Sequence, residues 1–189
     1  WTSADPSGFP DGPNRHFYAP VPTAGLDPMG LKYVFAGNVS QGVRDDFNSV
    51  DQSSYGQDPS SAFYQVQNAG YDVLVKETSD GTRYSFNDNT LYVNPNDPSL
   101  TVMDSENGPA VTNPPLIEKL AHESKHVVLR HSESTQQINK WRSESGKYGT
   151  SKWEEMAVDE GNRYRSSQGL YERLWYSDDL QEYYNSLEI

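Results

Sequence analysis

The sequence predicts an α+β domain, on three observations. A β-rich stretch between residues 71 and 93 is flanked on both sides by segments with helical spacing, so strands and helices are segregated along the chain. A length of 189 residues suits one hydrophobic core and is short for two. With 13 Tyr, 14 Gly and 12 Pro beside 34% hydrophobic and 22% charged residues, the composition describes a small, turn-rich, polar-surfaced globule and not a disordered chain.

Taken in order, the chain opens on a segment in which Pro6, Pro10, Pro13, Pro20, Pro22 and Pro28 exclude a regular helix or central strand. Val39 to Val50 and Ser60 to Asn68 carry helical spacing, the second capped by Ser60 and closed before Gly70. Tyr71 to Val75 is a β-branched run. Thr82 to Phe86 and Thr90 to Val93 alternate apolar and polar residues around Asn87-Asp88-Asn89, and with the first run they read as a small antiparallel meander. Residues 95–113, rich in Pro, Asn, Asp and Gly, read as a loop. Asn113-Pro114-Pro115 starts a helix over 114–131, in which Leu116, Ile117, Leu120, Ala121, Val127 and Val128 form a stripe broad enough to be buried. Residues 132–150 read as a polar surface excursion broken by Ile138 and Trp141. A helix from Ser151 to near Gly169 follows, then a last one capped by Ser177-Asp178-Asp179 and ending near Leu187.

The balance of 27 acidic against 15 basic side chains, a formal charge of −12, repels phosphate backbones and anionic lipid, so nucleic acid and membrane surfaces are not expected partners. The absence of cysteine removes thiol nucleophiles and thiolate metal sites, and any metal must be held by His and carboxylates. No apolar run approaches the roughly 18 residues of a membrane span. The start on Trp1 gives the expectation of a piece of a longer polypeptide.

His122-Glu123-Ser124-Lys125-His126 is an HExxH sequence inside the expected helix 114–131, and its i, i+4 spacing puts both imidazoles on one face. Two imidazoles so placed can clamp one metal ion. Glu123 lies beside that face, where a carboxylate can take a proton from water at the metal and pass it to a leaving amine. Zn2+ suits two neutral imidazoles plus one carboxylate, with a fourth position open. A pair of merely structural histidines fits poorly, because buried imidazoles and a carboxylate are costly without a metal.

A third ligand has to come from elsewhere. The metzincin arrangement needs His at position 132 and Gly at 129, where Ser132 and Leu129 stand, and His131 is rotated away. The pair Glu154-Glu155 opens the next long helix. Glu154 has Ala157, Val158 and Gly161 at i+3, i+4 and i+7, a small face that lets two helices approach closely. Glu155 shares its side with Asp159 and Asn162, which reads as solvated. Glu154 is therefore the expected ligand, in the gluzincin manner, and Glu155 the alternative. In zincin architecture an edge strand above the active-site helix takes substrate as an added strand, and Thr90 to Val93 is the expected edge. Tyr164, Tyr171 and Tyr176 are candidates to donate a hydrogen bond to a tetrahedral oxyanion. Arg165 and Arg173 can orient Glu154 or bind a substrate carboxylate, surface pairing being the commoner fate of an arginine. His16 has no evident partner.

Two resemblances follow from these residues. Residues 1–31, with Asp5-Pro6-Ser7-Gly8 and Asp27-Pro28-Met29-Gly30-Leu31, resemble the end of the rearrangement-hotspot (Rhs) repeat-associated core, with Val21-Pro22 where an Asn-Pro pair is usual. The resemblance implies that the segment closes a hollow β-cocoon and that Asp5 and Asp27 perform self-cleavage of a parent protein just after Leu31. It also implies that 32–189 is a usually toxic cargo, partnered by the parent shell and an immunity protein. Residues from about 32 to 176 look like effector-type zinc metallopeptidases, on Asn89 to Pro95, Leu120-Ala121-His122-Glu123 with His126, and Glu154, Ala157-Val158, Asn162, Tyr164-Arg165, Gly169-Leu170 and Arg173. Gly161 and Tyr171 depart from the usual Glu and Pro. This resemblance aligns the ligand with Glu154.

The expectation is thus two units, 1–31 and 32–189, the second a zincin-like α+β metalloendopeptidase acting as a toxin. It would be secreted or delivered into target cells within a larger bacterial protein and would act on a protein or peptide. Zinc would be held by His122, His126 and Glu154 with Glu123 as base, and Tyr164, Arg165 and Tyr171 would assist the transition state or orient ligands. Deamidation of a side chain would use the same parts, so peptide hydrolysis is favoured by resemblance alone. The non-enzymatic alternative is an interaction or tip domain with a structural metal site.

Overall fold

The computed structural model describes residues 33–187. It opens on β1 (Tyr33–Phe35), followed by α1 (Gln41–Gln52) and α2 (Ala62–Gln67). α1 buries Val43, Phe47 and Val50, at i, i+4 and i+7, and Ser61 starts α2 by accepting from Tyr64 N. β2 (Val73–Glu77), β3 (Arg83–Ser85) and β4 (Thr90–Val93) complete a sheet in the order β1-β2-β4-β3.

This sheet is not the expected antiparallel meander. β2 pairs in parallel with β1, Tyr33 opposite Val73, and with β4, Leu74 opposite Thr90, while β3 runs antiparallel to β4 with Tyr84 opposite Leu91. The helices between β1 and β2 form the crossover that a parallel pair requires. Alternation of apolar residues reports the face a side chain takes and is silent on the direction of the neighbouring strand. Thr90–Val93, expected at the edge, is consequently an inner strand, and the edges are β1 and, beside Thr90–Val93, β3.

The stretch expected as a loop contains a hairpin, β5 (Thr101–Met103) and β6 (Ala110–Thr112), turned at Gly108 with φ 90°. These pair with β7 (Arg173–Trp175) in a second, antiparallel sheet of order β6-β5-β7. Three-residue strands are too short to carry a period-two signal. The expected surface excursion holds α4 (Thr135–Ser143), capped by Ser134 and seated by buried Ile138 against Leu129 and Trp153. The main helices stand close to expectation: α3 (Leu116–Ser132), α5 (Lys152–Ser167), ended by Gly169 at φ 66°, and α6 (Leu180–Leu187), whose first turn is capped by Asp179.

α3 lies at the centre. Its Leu120, Ala121 and Val127 are fully buried in one cluster with Val73, Val75, Leu91 and Val93 of the first sheet and with Phe47 and Phe63. Tyr33 OH donates to Ser124 Oγ at 2.7 Å, and Ser124 Oγ donates in turn to Leu120 O at 2.6 Å. On its other side α5 lays down Ala157 and Val158, both inaccessible. His126 faces Glu154 and Glu118 faces Arg165, so the two helices run antiparallel.

Asp97 pins the segment between the two sheets. Its carboxylate accepts from Thr82 N, Ser99 N and Ser99 Oγ and lies 3.3 Å from Lys119 Nζ. Burial pushes this carboxyl up, but the Ser99 and Thr82 hydrogen bonds, with the Lys119 charge, more than offset it and hold the group well below the usual carboxylate range. A depressed folded-state pKa contributes stability above the unfolded value of about 3.9 and loses it as pH falls further. The stability gap between wild type and Asp97→Asn is therefore expected to narrow as pH falls from about 6 to about 3. Urea titrations followed by circular dichroism measure it, and a constant gap would remove the carboxylate's assigned role.

Candidate metal centre

Both imidazoles of the HExxH sequence project from the middle of α3 toward the first turn of α5. That turn is set by Ser151, whose hydroxyl accepts from Glu154 N and so fixes the helix start immediately before the acidic pair. Glu154 Oε2 lies 3.3 Å from His122 Nε2 and 3.2 Å from His126 Nε2. The three potential ligand atoms all fall within 4.8 Å of one another. Donors about 2.0 to 2.2 Å from one tetrahedral centre stand about 3.3 to 3.6 Å apart, and the two carboxylate separations lie at and just under the short end of that edge length. His122 and His126 are buried, and neither Nδ1 has a hydrogen-bond partner, so the polar contacts of each ring are made through Nε2. The donor set, two nitrogens and one carboxylate oxygen, fits zinc. Burial pushes the Glu154 carboxyl up, and the two imidazoles outweigh it, leaving the group ionised well below the usual range.

Glu123 stands beside this cluster. Its Oε2 accepts the Tyr84 backbone N–H of β3 at 2.7 Å, and its Oε1 lies 3.8 Å from His122 Nε2. Trp153, next to Glu154, stacks on His126 with ring centroids 4.7 Å apart and 14° between planes. Arg142 of α4 in turn lies over Trp153 and Phe86, so the short fourth helix supports the wall of the centre.

A cleft of about 350 Å³ opens on the His122 and Glu123 side, lined also by Thr82, Glu118, Arg173 and Tyr176. The Tyr176 ring centroid is 6.2 Å from that of His122. Burial, then the nearby Glu154 and Glu123 charges, push its phenol far up, so it stays protonated.

The structure thus gathers His122, Glu123, His126, Glu154 and Tyr176. Arg173 lines the same cleft beside Tyr176, and the remaining residues named from the sequence stand elsewhere. Glu155 accepts from Lys147 N at 2.9 Å and pairs with Lys152, anchoring the turn before α5. Tyr164 packs in the core edge-to-face on Tyr55, at 5.7 Å and 86°. Arg165 forms a buried ion pair with Glu118 at 2.7 Å and donates to Tyr171 O, and the Tyr171 side chain is exposed. His131 stacks on Tyr71 and meets Asn89. His16, Asp5, Asp27 and Leu31 lie outside the described residues, as does the proposed bond after Leu31. The Tyr84 N–H and Trp153 are not among the groups to which the sequence points. The first is a backbone group without a side-chain signature, and the second was signalled only by its place beside Glu154.

Comparison with protein-family models, curated proteins and solved structures finds no match to the chain. No described helix is long and apolar enough to cross a membrane.

Glu154→Ala is expected to lower zinc affinity by orders of magnitude, as loss of one of three ligands should. Glu155→Ala is expected to leave zinc affinity within about 10-fold and to lower the melting temperature, because it releases Lys147 N and Lys152. Competitive chelator titration and thermal melts of both variants check this. A larger affinity loss in Glu155→Ala would reverse the assignment.

Proposed function

We propose that the chain is a zinc-dependent endopeptidase of zincin-like build. The observation that carries this reading is the convergence of one potential ligand atom each from His122, His126 and Glu154 within 4.8 Å beside an open cleft, with Glu123 next to them. Bound there, zinc would supply Lewis acidity for the scissile carbonyl and for the attacking water.

The chain's own residues supply the rest. Tyr84 N–H holds Glu123 Oε2 and so fixes the carboxylate in orientation, leaving Oε1 on the His122 side to accept the water's proton and deliver it to the leaving amine. Tyr176, protonated and beside His122, donates to the oxygen on which charge develops. Trp153 covers His126 and keeps water from that face. The edge strand β3 contributes by placing the base, and the inner strand Thr90–Val93 has its pairing taken by its neighbours. The resemblance of residues 1–31 to an Rhs core supports delivery of this activity as the toxic cargo of a larger protein, opposed by an immunity protein.

Peptide-library cleavage by the zinc-loaded protein tests the reading. Glu123→Gln is expected to retain zinc and to lose about 10² to 10⁴ in kcat. Tyr176→Phe is expected to lose about 10² to 10³ in kcat with little change in KM. Equal cleavage by wild type and Glu123→Gln would sink the role given to Glu123, and cleavage that survives complete zinc removal would sink the metal.

A further inference from the structure

Three cations stand in or beside the cleft, and two are matched. Lys119 lies 3.3 Å from an Asp97 carboxylate oxygen and donates to Asn113 Oδ1, while Arg165 pairs with Glu118. Arg173 differs. No carboxylate oxygen among the described residues lies within 4.0 Å of its guanidinium, although the side chain is half-buried. Its position is nevertheless tightly held. Asn162 of α5 clips the Arg173 backbone from both sides, accepting its N–H at 2.6 Å and donating to its carbonyl at 3.0 Å. The guanidinium donates from Nε to Thr101 Oγ1 at 2.6 Å and from Nη2 to Tyr176 O at 2.8 Å, and it stands over the Tyr176 ring at 4.8 Å. Nη1 has no acceptor among the described residues. Burial lowers the pKa of this group, and the nearby charges of Glu118, Glu154 and Glu123, none of them in direct contact with it, partly offset that effect.

A fixed guanidinium on the wall of a cleft, with no carboxylate in direct contact and Nη1 free of an acceptor among the described residues, is a pre-organised receptor for a planar anion, since a carboxylate gains charge-assisted hydrogen bonds while the arginine loses no rotamer freedom it still had. The anion's charge is bounded by the surroundings. Glu118, Glu123 and Asp178 line the same cleft, and a phosphate dianion would meet them all, whereas one carboxylate matches one guanidinium. Resting on the peptidase reading above, we propose that Arg173 is a specificity-determining residue that binds a carboxylate of the substrate close to the scissile bond. The carboxylate comes from an Asp or Glu side chain or from the peptide's own C-terminus.

The test uses the full chain loaded with zinc and a mixed peptide library in which Glu is paired with Gln and Asp with Asn at each position, each made as free acid and as C-terminal amide. Wild type is expected to favour the carboxylate member of one pair by about 10-fold to 100-fold in kcat/KM. The source is a side chain if the preference survives amidation and the C-terminus if it does not. Arg173→Met is expected to erase the preference and Arg173→Lys to keep part of it. Because the comparison within wild type needs no variant, poor folding of Arg173→Met does not decide the outcome. Peptides retained by immobilised Glu123→Gln protein, identified by mass spectrometry, give a readout independent of turnover. Cleavage indifferent to every Glu/Gln, Asp/Asn and acid/amide pair would overturn the carboxylate site and leave the peptidase reading intact. No cleavage, with retention of acidic peptides that Arg173→Met abolishes in the Glu123→Gln background, would overturn the peptidase reading and leave the carboxylate site standing. Neither cleavage nor retention would overturn both.

Discussion

The close approach of α3 and α5 is the constraint on which the rest of the molecule depends. A glutamate side chain spans only a few ångströms beyond its backbone, so Glu154 reaches both imidazoles only if the two helices touch where Ala157, Val158 and Gly161 leave room. Charge fixes their register as well as shape. Glu118 and Arg165 close the far end of the seam at 2.7 Å, and His122, His126 and Glu154 close the near end. Breaking a buried pair by removing one partner typically costs about 3 to 5 kcal/mol, because the remaining charge is left without a counterpart. A slip of α5 along α3 would break both ends together. The ion pair behind the cluster therefore acts as a spacer that keeps Glu154 in place beside the two imidazoles.

Each remaining side of α5 carries a different attachment. Glu160 accepts from Tyr55 OH and from Ala62 N, tying the helix to the start of α2, and Glu155 holds the turn preceding α5. Asn162 carries β7, and with it the second sheet. That sheet buries Val102 and Met103 while its outer strand β6 is exposed, so side-chain clips do much of what apolar burial does for the first sheet. The division suits the proposed activity. The apolar sheet fixes α3 and the base, and the sheet held by polar clips closes the cleft with Arg173 and Tyr176.

What could be read from the sequence was what helical geometry determines locally. The i, i+4 histidines, the apolar stripe of α3 and the small-residue face behind Glu154 each follow from 100° of rotation per residue, and the structure places them accordingly. The same geometry explains where the reading of Arg165 failed. At i+11 it shares the face of Glu154, but three turns along, about 16 Å away by helical rise, it meets Glu118 and not the centre. Tyr164, a further step round the helix, falls into the core. Sheet direction, the three-residue strands and the amide of Tyr84 left no local trace, because each is defined by a partner distant in the chain. Arg173 and Tyr176 could be named as candidates, but their convergence on His122 depends on Asn162, eleven residues before Arg173, clipping a strand whose sheet was itself invisible.

A structural and a catalytic metal site make opposite demands on the fourth coordination position, the first filling it from the protein and the second leaving it to water and substrate. Among the described residues the cluster comprises His122, His126 and Glu154. The nearest further carboxylate, Glu123, is drawn aside, with one oxygen taken by the Tyr84 amide. Such a restraint suits a base that must stay near a bound metal, and a ligating carboxylate would share it, so it does not by itself separate the two roles. The neighbouring surface does, for the cleft opens beside His122 and Glu123 and not behind Trp153, which seals the opposite side. The open cleft beside His122 and Glu123 is thus the feature that favours a catalytic over a structural reading of the proposed metal site, because a site closed by protein groups on every side would have no need of it.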